Sequence, residues 1–521
     1  MPMMTEDQET RTDLTPLEML AELREYAGPR QTAGLSDAMI STFLHHSPVL
    51  ADAIHQAWAL HRQLRQQDEL SAVLSLGESQ MSKALQADYV NFYPPATVNP
   101  YVALAAAGPW IVTAHGAVLH DNGGYGMLGM GHAPEPVLAA MRAPWVMANI
   151  MTPSFSHLRL TQTLGREIGH ARAEEAPTFS RFLCMNSGSE AVTVAARISD
   201  VNVLRMTEPG GRHEGKAVYF LGLEGGFHGR TDRPAQFSDS SLPKYRKHLA
   251  SFKERSNLFT VPPNDIDALK AIFQKANDES FFIEAMFMEP VMGEGRPGRA
   301  IRREFYDVAR ALTLAHGAML VIDSVQAGLR ATGCLSIIDY PGFEDCVPPD
   351  MEVYSKALNA GQYPLSVLAM TDRAANLYAK GIYGNTMTAN PRALEVACAV
   401  LDGVTPALRH NIRDRGREFV DKLTALAADF PALIVSVEGT GLLFCAELRP
   451  DVPVIGFDGV ETWCRKHGLG VIHGGHNALR FTPHFAITTE EVDLVIGLIR
   501  QALEAFSVSG ADGSGSGAGA L

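Results

Sequence analysis

The stretch that decides the fold reads Met319-Leu320-Val321-Ile322-Asp323-Ser324-Val325-Gln326, answered further along by Met351-Glu352-Val353-Tyr354-Ser355-Lys356. Each opens on a short run of apolar, mostly β-favouring residues. Each closes on groups able to do chemistry, an acid and an amide in the first and a lysine in the second. Comparable runs occur at 182–185, 217–221, 285–288 and 365–370. Apolar residues at helical spacing separate several of them, at 189–204, 266–276 and 303–315. Strand alternating with helix predicts βαβ units, a mostly parallel sheet and an α/β fold. Ligands of such sheets bind outside the carboxyl ends of the strands.

The residues just past each run therefore matter most. They are Asn186-Ser187-Gly188-Ser189-Glu190, Glu224-Gly225-Gly226-Phe227-His228-Gly229, Glu289-Pro290, Asp323-Ser324-Val325-Gln326 and Ser355-Lys356. A glycine–serine turn, an aromatic ring, two acids and a lysine are expected to face one crevice. Ser187-Gly188-Ser189 opens a helical pattern. The unpaired N–H groups of a helix start suit an anion such as phosphate, although serine is also a common plain N-cap. Lys356 follows a strand too apolar for a surface edge. Desolvation lowers a lysine's pKa and makes it a nucleophile toward carbonyls; a merely exposed lysine is the plainer reading. Asp323, closing a buried strand, needs a cationic partner, either a protonated ring nitrogen or an arginine. Phe227 could stack on a planar ring or belong to the core.

The rest of the chain narrows the function by exclusion. Its 521 residues are 46% hydrophobic and 20% charged, ordinary for a globular protein. Lys and Arg number 44 against 58 Asp and Glu, a net charge of −14 that disfavours nucleic acid and anionic membrane surfaces. The six cysteines show no Cys-x-x-Cys spacing, so neither a metal site nor a disulfide framework is expected, and scattered thiols suit a reducing compartment. The start of the sequence is acidic and has no apolar signal core. The apolar stretch 102–112 is broken by Gly108 and Pro109 and is too short to span a membrane. A cytoplasmic protein is expected. Gly124-x-Gly126-x-x-Gly129 matches the dinucleotide fingerprint only as a string, without a clear strand before it. Residues 210–216 resemble the start of a phosphate-binding P-loop, but Ala217 lacks the hydroxyl that would follow. Both are set aside.

Taken together, the motifs resemble those of the class III aminotransferases, fold type I enzymes that use pyridoxal 5′-phosphate (PLP). Asn186-Ser187-Gly188-Ser189-Glu190-Ala191 resembles the family's phosphate turn, and Phe227-His228-Gly229-Arg230-Thr231 its aromatic-His-Gly motif. Glu289-Pro290-Val291, Asp323-x-Val325-Gln326-x-Gly328, Ser355-Lys356, Thr386 with Asn390-Pro391, and Arg480-Phe481-Thr482-Pro483 follow in the family's order. The resemblance covers about 108–506. It implies that Lys356 forms the Schiff base, that Asp323 holds the pyridine nitrogen protonated, and that Phe227 and Val325 sandwich the ring. It further implies that Gln326 bonds near the phenolic oxygen, with His228 and Ser187 beside the cofactor. Gly188 and Ser189 bind the phosphate, joined by Thr386 from the partner of a homodimer. Arg480, with Glu289 nearby, faces the substrate, and Arg480 grips its carboxylate.

The implied activity is amino-group transfer between an amine or amino acid and a 2-oxo acid. Racemisation, decarboxylation or aminomutation on the same fold is the alternative, and a catalytically silent PLP-fold protein a more distant one. The expected organisation is an N-terminal helical extension over 1–91 and a large PLP-binding domain over 149–390. A smaller α+β domain is built from 92–148 and 391–506, and a disordered Gly/Ser tail covers 507–521. Four departures from the family pattern stand out. Glu438-Gly439-Thr440-Gly441-Leu442 stands where Arg-Gly-x-Gly-Leu is common. Ser324 replaces the usual Glu after the aspartate. Gly328-Leu329-Arg330-Ala331-Thr332-Gly333 displaces the customary Arg of Gly-Phe-Gly-Arg-Thr-Gly. Thr388-Ala389 replaces Gly-Gly.

Overall fold

A computed structural model describes residues 14–173 and 177–509. The expected Gly/Ser tail lies outside the described residues from 510 onward, while 507–509 close the helix Thr489–Ser509. The chain forms two compact units. One joins the described residues up to Asp121 with Ile455–Gly470, and the other joins Asn122–Val454 with the described residues from Val471 on.

Among the described residues the first unit carries six α-helices, Pro16–Tyr26, Asp37–His46, Pro48–Leu64, Asp68–Leu74, Glu78–Gln86 and Val460–Lys466. The first starts on a capping box between Thr15 and Glu18 with Pro16 at its opening position, a combination that satisfies the free N–H groups of a helix start. The helices accompany a short sheet in which Ala103–Ala107, Trp110–Thr113 and Val118–Asp121 run antiparallel and Leu469–Gly470 lies parallel to the last. Trp110, fully buried, packs at 5.2 Å from Phe43 and hydrogen-bonds Ser47.

The second unit is built on a seven-stranded sheet: β1 (Arg181–Met185), β2 (Ala217–Leu223), β3 (Leu258–Val261), β4 (Phe281–Met288), β5 (Met319–Asp323), β6 (Met351–Tyr354) and β7 (Ser366–Met370). Their order is β1-β7-β6-β5-β4-β2-β3. All pairings are parallel except those of β7, which runs against both β1 and β6. β4 to β7 are buried along their whole length, as expected for strands covered on both faces. Helix Gly188–Thr207 lays Val192, Ala195, Ala196 and Ile198 against Phe220, Phe287, Val321, Val353 and Leu368, which makes the main core. Each large apolar side chain so buried contributes about 1.5–3 kcal/mol relative to exposure. A second, antiparallel sheet of Ile434–Thr440, Leu443–Leu448, Ala478–Phe481 and Ile472–Gly474 ends the unit, with helices Pro406–Asp429 and Thr489–Ser509 beside it. The architecture is the α/β, mostly parallel arrangement expected of fold type I.

Candidate active site

The carboxyl ends of β2, β4, β5 and β6 and the start of helix Gly188–Thr207 enclose a cleft of about 650 Å³. Ser187, Gly188, Ser189, Phe227, His228, Glu289, Asp323, Val325, Gln326 and Lys356 all line it. Thr386 and Arg480 are not among the lining residues.

The glycine–serine turn is both a cap and part of the cleft. Glu190 donates its backbone N–H to Ser187 Oγ at 3.3 Å, and its carboxylate accepts from the amides of Asn186 and Ser187. Ser189 Oγ accepts the amides of Arg230 and Thr231, each at 3.1 Å, which folds the aromatic loop onto the turn. A Cβ on Gly188 would meet Val325 at 2.8 Å, and one on Gly229 would meet Ser189 Oγ at 2.3 Å. Only glycines allow this closeness.

Asp323, almost wholly buried, accepts from His228 Nδ1 at 2.9 Å and from the Val325 amide at 3.1 Å. Glu289 accepts the amides of Phe227 at 3.0 Å and Gly293 at 2.8 Å, so each of its oxygens braces the loops on either side. Burial, opposed by His228, pushes its carboxyl up to about 7. Lys356 sits at the cleft floor in a left-handed backbone conformation, φ 46°, and donates from Nζ to Gln326 Oε1 at 2.8 Å. Burial, reinforced by the Arg480 charge, pulls its ammonium down to about 8. A lysine so shifted is available as the neutral amine near neutral pH.

Arg480 is buried, lies 5.8 Å from the Tyr125 ring, and pairs with Glu294 at 2.8 Å and with the carbonyl of Gly293. Burial pushes the Glu294 carboxyl up, but the Arg480 pairing outweighs it and holds the group below its ordinary value. Thr386 is exposed, in a segment anchored through Tyr383 and Asn385 to Glu190 at 2.7 and 3.3 Å.

Three features escaped the sequence reading. Glu294 carries no local signal, because its partner is 186 residues away. Met127, inside the string set aside as a false dinucleotide fingerprint, lines the cleft. Gly126 beside it faces Gln326 and Lys356, whose side-chain carbons lie 3.3 and 3.6 Å from where its Cβ would stand. The glycines were the available signal, read against the wrong template.

The family Aminotransferase class-III matches residues 92–503. The chain belongs to the class III aminotransferases. It is 30% identical to the acetylornithine aminotransferase of Thermosynechococcus vestitus over 325 residues, 62% of this chain and 74% of that one. It is 28% identical to the Neisseria meningitidis enzyme of the same name over 426 residues, 80% and 98% of the two chains. In fold it is similar to the ornithine aminotransferase of Toxoplasma gondii, with a TM-score of 0.69, 22% identity, and coverage of 83% of this chain and 96% of that one. This aminotransferase therefore uses PLP and transfers amino groups. The cleft itself tests the fit. Gln326 Nε2 is buried beside Lys356 with no hydrogen-bond partner among the described residues, and leaving such a donor unmet costs about 1–3 kcal/mol. PLP, planar and with an oxygen near its carbonyl, would meet that donor, and the anion-suited turn and the buried Asp323 would suit its phosphate and its ring nitrogen.

Proposed function

We propose that this cleft moves an amino group from an amine or amino acid to a 2-oxo acid, with Lys356 as the attachment and proton-moving residue. The observation that carries the reading is Lys356 Nζ, lowered toward neutrality and set 2.8 Å from Gln326 between Asp323, Glu289 and the Arg480–Glu294 pair. When bound, PLP supplies a carbonyl that condenses with amines and an electron-poor ring that accepts the electron pair left on the substrate carbon. Lys356 Nζ, as the neutral amine, would take the proton from the substrate carbon and carry it until it is given back. Asp323, fixed by the His228 Nδ1 bond, holds the ring nitrogen's proton in place. Phe227 and Val325 would flank the ring, Gly188 and Ser189 would hold the phosphate with Ser187 capping the turn, and Gln326 Nε2 would meet the phenolic oxygen. In this reading 149–390 is the cofactor-binding domain.

Arg480 grips a substrate carboxylate once Glu294 turns away. A substrate with no carboxylate at that end leaves the pair intact, so one pocket can accept an amine donor and a 2-oxo acid in turn. Glu289 keeps the wall of this pocket in shape through Phe227 and Gly293. The named relatives make N-acetylornithine and ornithine the first donors to try, with 2-oxoglutarate and pyruvate as acceptors.

The working unit is a homodimer in which Thr386 reaches the partner's phosphate. The support is an exposed apolar face around that segment. Met147, Met151 and Phe155 are 91%, 85% and 91% exposed, Met387 is 46% exposed, and the Ile150 amide bonds the Thr388 carbonyl. An apolar face of that kind on a folded enzyme marks an interface. The compartment is the cytoplasm, supported by six cysteines that are all buried and free, and no helix among the described residues is long and apolar enough to cross a membrane.

The test is product balance. With donor and 2-oxo acid together, the donor's keto or aldehyde product and the new amino acid should appear one for one. Released carbon dioxide or inverted donor, without a new amino acid, would return the cleft to the decarboxylase or racemase reading.

A further inference from the structure

Arg330 is fully buried, and among the described residues no carboxylate hydrogen-bonds to it. It donates instead to three backbone carbonyls from distant parts of the chain. Nη1 reaches Leu442 O at 3.2 Å and Pro483 O, and Nη2 reaches Gly126 O at 3.4 Å. The Leu442 amide returns a bond to Arg330 O at 3.0 Å, and the guanidinium lies over the Phe485 ring at 5.0 Å. A buried cation without a counter-charge is costly, and polar contacts on several sides are the least that keeps it in place. What it secures is the substrate side of the cleft. Gly126, φ 82°, is held on its carbonyl side by Arg330 and on its amide side by Thr482 Oγ1 at 3.1 Å. That carries Tyr125 under Arg480 and Met127 into the lining, and sets Gly126 against Gln326 and Lys356. Leu329, at φ 63°, takes the left-handed conformation just before it.

We propose that Arg330 is a positioning residue for substrate: it fixes the 123–129 loop against Lys356 and the Arg480 strand, and so sets the substrate pocket without touching the cofactor's phosphate or ring side. The proposal rests on the reading of Lys356 as the attachment residue. Arg330→Lys keeps the charge but replaces the planar fork with one compact ammonium, which does not span the carbonyl positions that Nη1 and Nη2 reach. In the PLP-loaded protein, amide hydrogen exchange should quicken in peptides covering 123–129, while peptides covering 186–204 keep their protection. The KM for 2-oxoglutarate or pyruvate, whichever is turned over, should rise ~10-fold, more than kcat falls, with the Kd for PLP within ~2-fold of native. If Arg330→Lys does not fold, Gly126→Ala carries the test. Its Cβ would strain the left-handed backbone at 126 and crowd the Gln326 side chain at 3.3 Å, which displaces the same loop, and the same excess of KM over kcat is expected. An unchanged KM in a folded variant, even with faster loop exchange, overturns the proposal, as does a loss of PLP affinity equal to the rise in KM. Borohydride reduction and peptide mass mapping of the same samples separate the two readings. A reduced cofactor on Lys356 with an unmoved KM removes only the Arg330 role, whereas a label on another residue removes the site reading itself.

Discussion

Replacing Glu294 by Gln leaves the shape of the Arg480 partner and removes its charge. A hydrogen bond between charged groups contributes about 1.5–3 kcal/mol and a neutral one about 1. The difference runs from about 0.5 to about 2 kcal/mol; the Glu294 side chain keeps 36% of its surface open, water screens the pair, and about 1 kcal/mol, below the upper end, applies. That is ~5-fold in an equilibrium at ~1.4 kcal/mol per decade. Arg480 would be freer by that factor to bind a substrate carboxylate, so the KM for a 2-oxo acid should fall ~5-fold. A donor amine with no carboxylate at that end should gain nothing. A second consequence concerns proton transfer. The Glu294 charge raises the Lys356 pKa against burial and the Arg480 charge, which lower it to about 8. Without Glu294 the pKa falls further, more of the released amine is neutral at a given pH, and the limb of kcat that rises with pH moves to lower pH. The assay is steady-state kinetics of both half-reactions from pH 6 to 10. A 2-oxo acid KM that is unchanged or higher, together with a limb that stays or moves to higher pH, would refute the account of the pair.

Asp323→Asn should fold and bind cofactor but lose at least ~100-fold in kcat, about 2.7 kcal/mol at ~1.36 kcal/mol per decade, because the ring nitrogen's proton is no longer held; stopped-flow of the donor half-reaction measures it. Thr386→Ala should weaken PLP binding ~10-fold, about 1.5 kcal/mol, the low end for one hydrogen bond to a charged group, while sedimentation still shows a dimer. Phe155→Asp, which puts a charge on the exposed apolar face, should shift the protein to monomer and weaken cofactor binding in parallel; full PLP affinity in a monomer would refute the shared site.

Strand ends were the most legible part of the site. Asp323 closes β5 and Lys356 follows β6, and an apolar run ending on such a group is a local pattern. The helices expected at 189–204, 266–276 and 303–315 occur as Gly188–Thr207, Ile266–Asp278 and Arg303–His316, because their apolar spacing and caps are local too. The front half of β4 was hidden by Glu284, an acid in mid-strand. Its charge is answered by Arg233 and Ser199, each at 2.5 Å, a tertiary fact. β3 was missed because Leu258–Val261 is a four-residue edge strand, mostly half-buried, with little contrast against its flanks. The antiparallel direction of β7 leaves no trace in composition. The displaced arginine of the 328–333 segment looked like a lost residue, yet Arg330 is fully buried among carbonyls contributed from 112 to 204 positions away, beyond any window of sequence.

The account stands on Lys356 as the residue that holds the cofactor and moves the proton. The measurement that tests it most directly is borohydride reduction of the PLP-loaded protein, proteolysis and mass mapping, run on the native chain and on Lys356→Ala. The account predicts a reduced cofactor on the peptide containing Lys356 in the native protein, and neither label nor turnover in the variant. A label on another lysine, with turnover retained in Lys356→Ala, would contradict it.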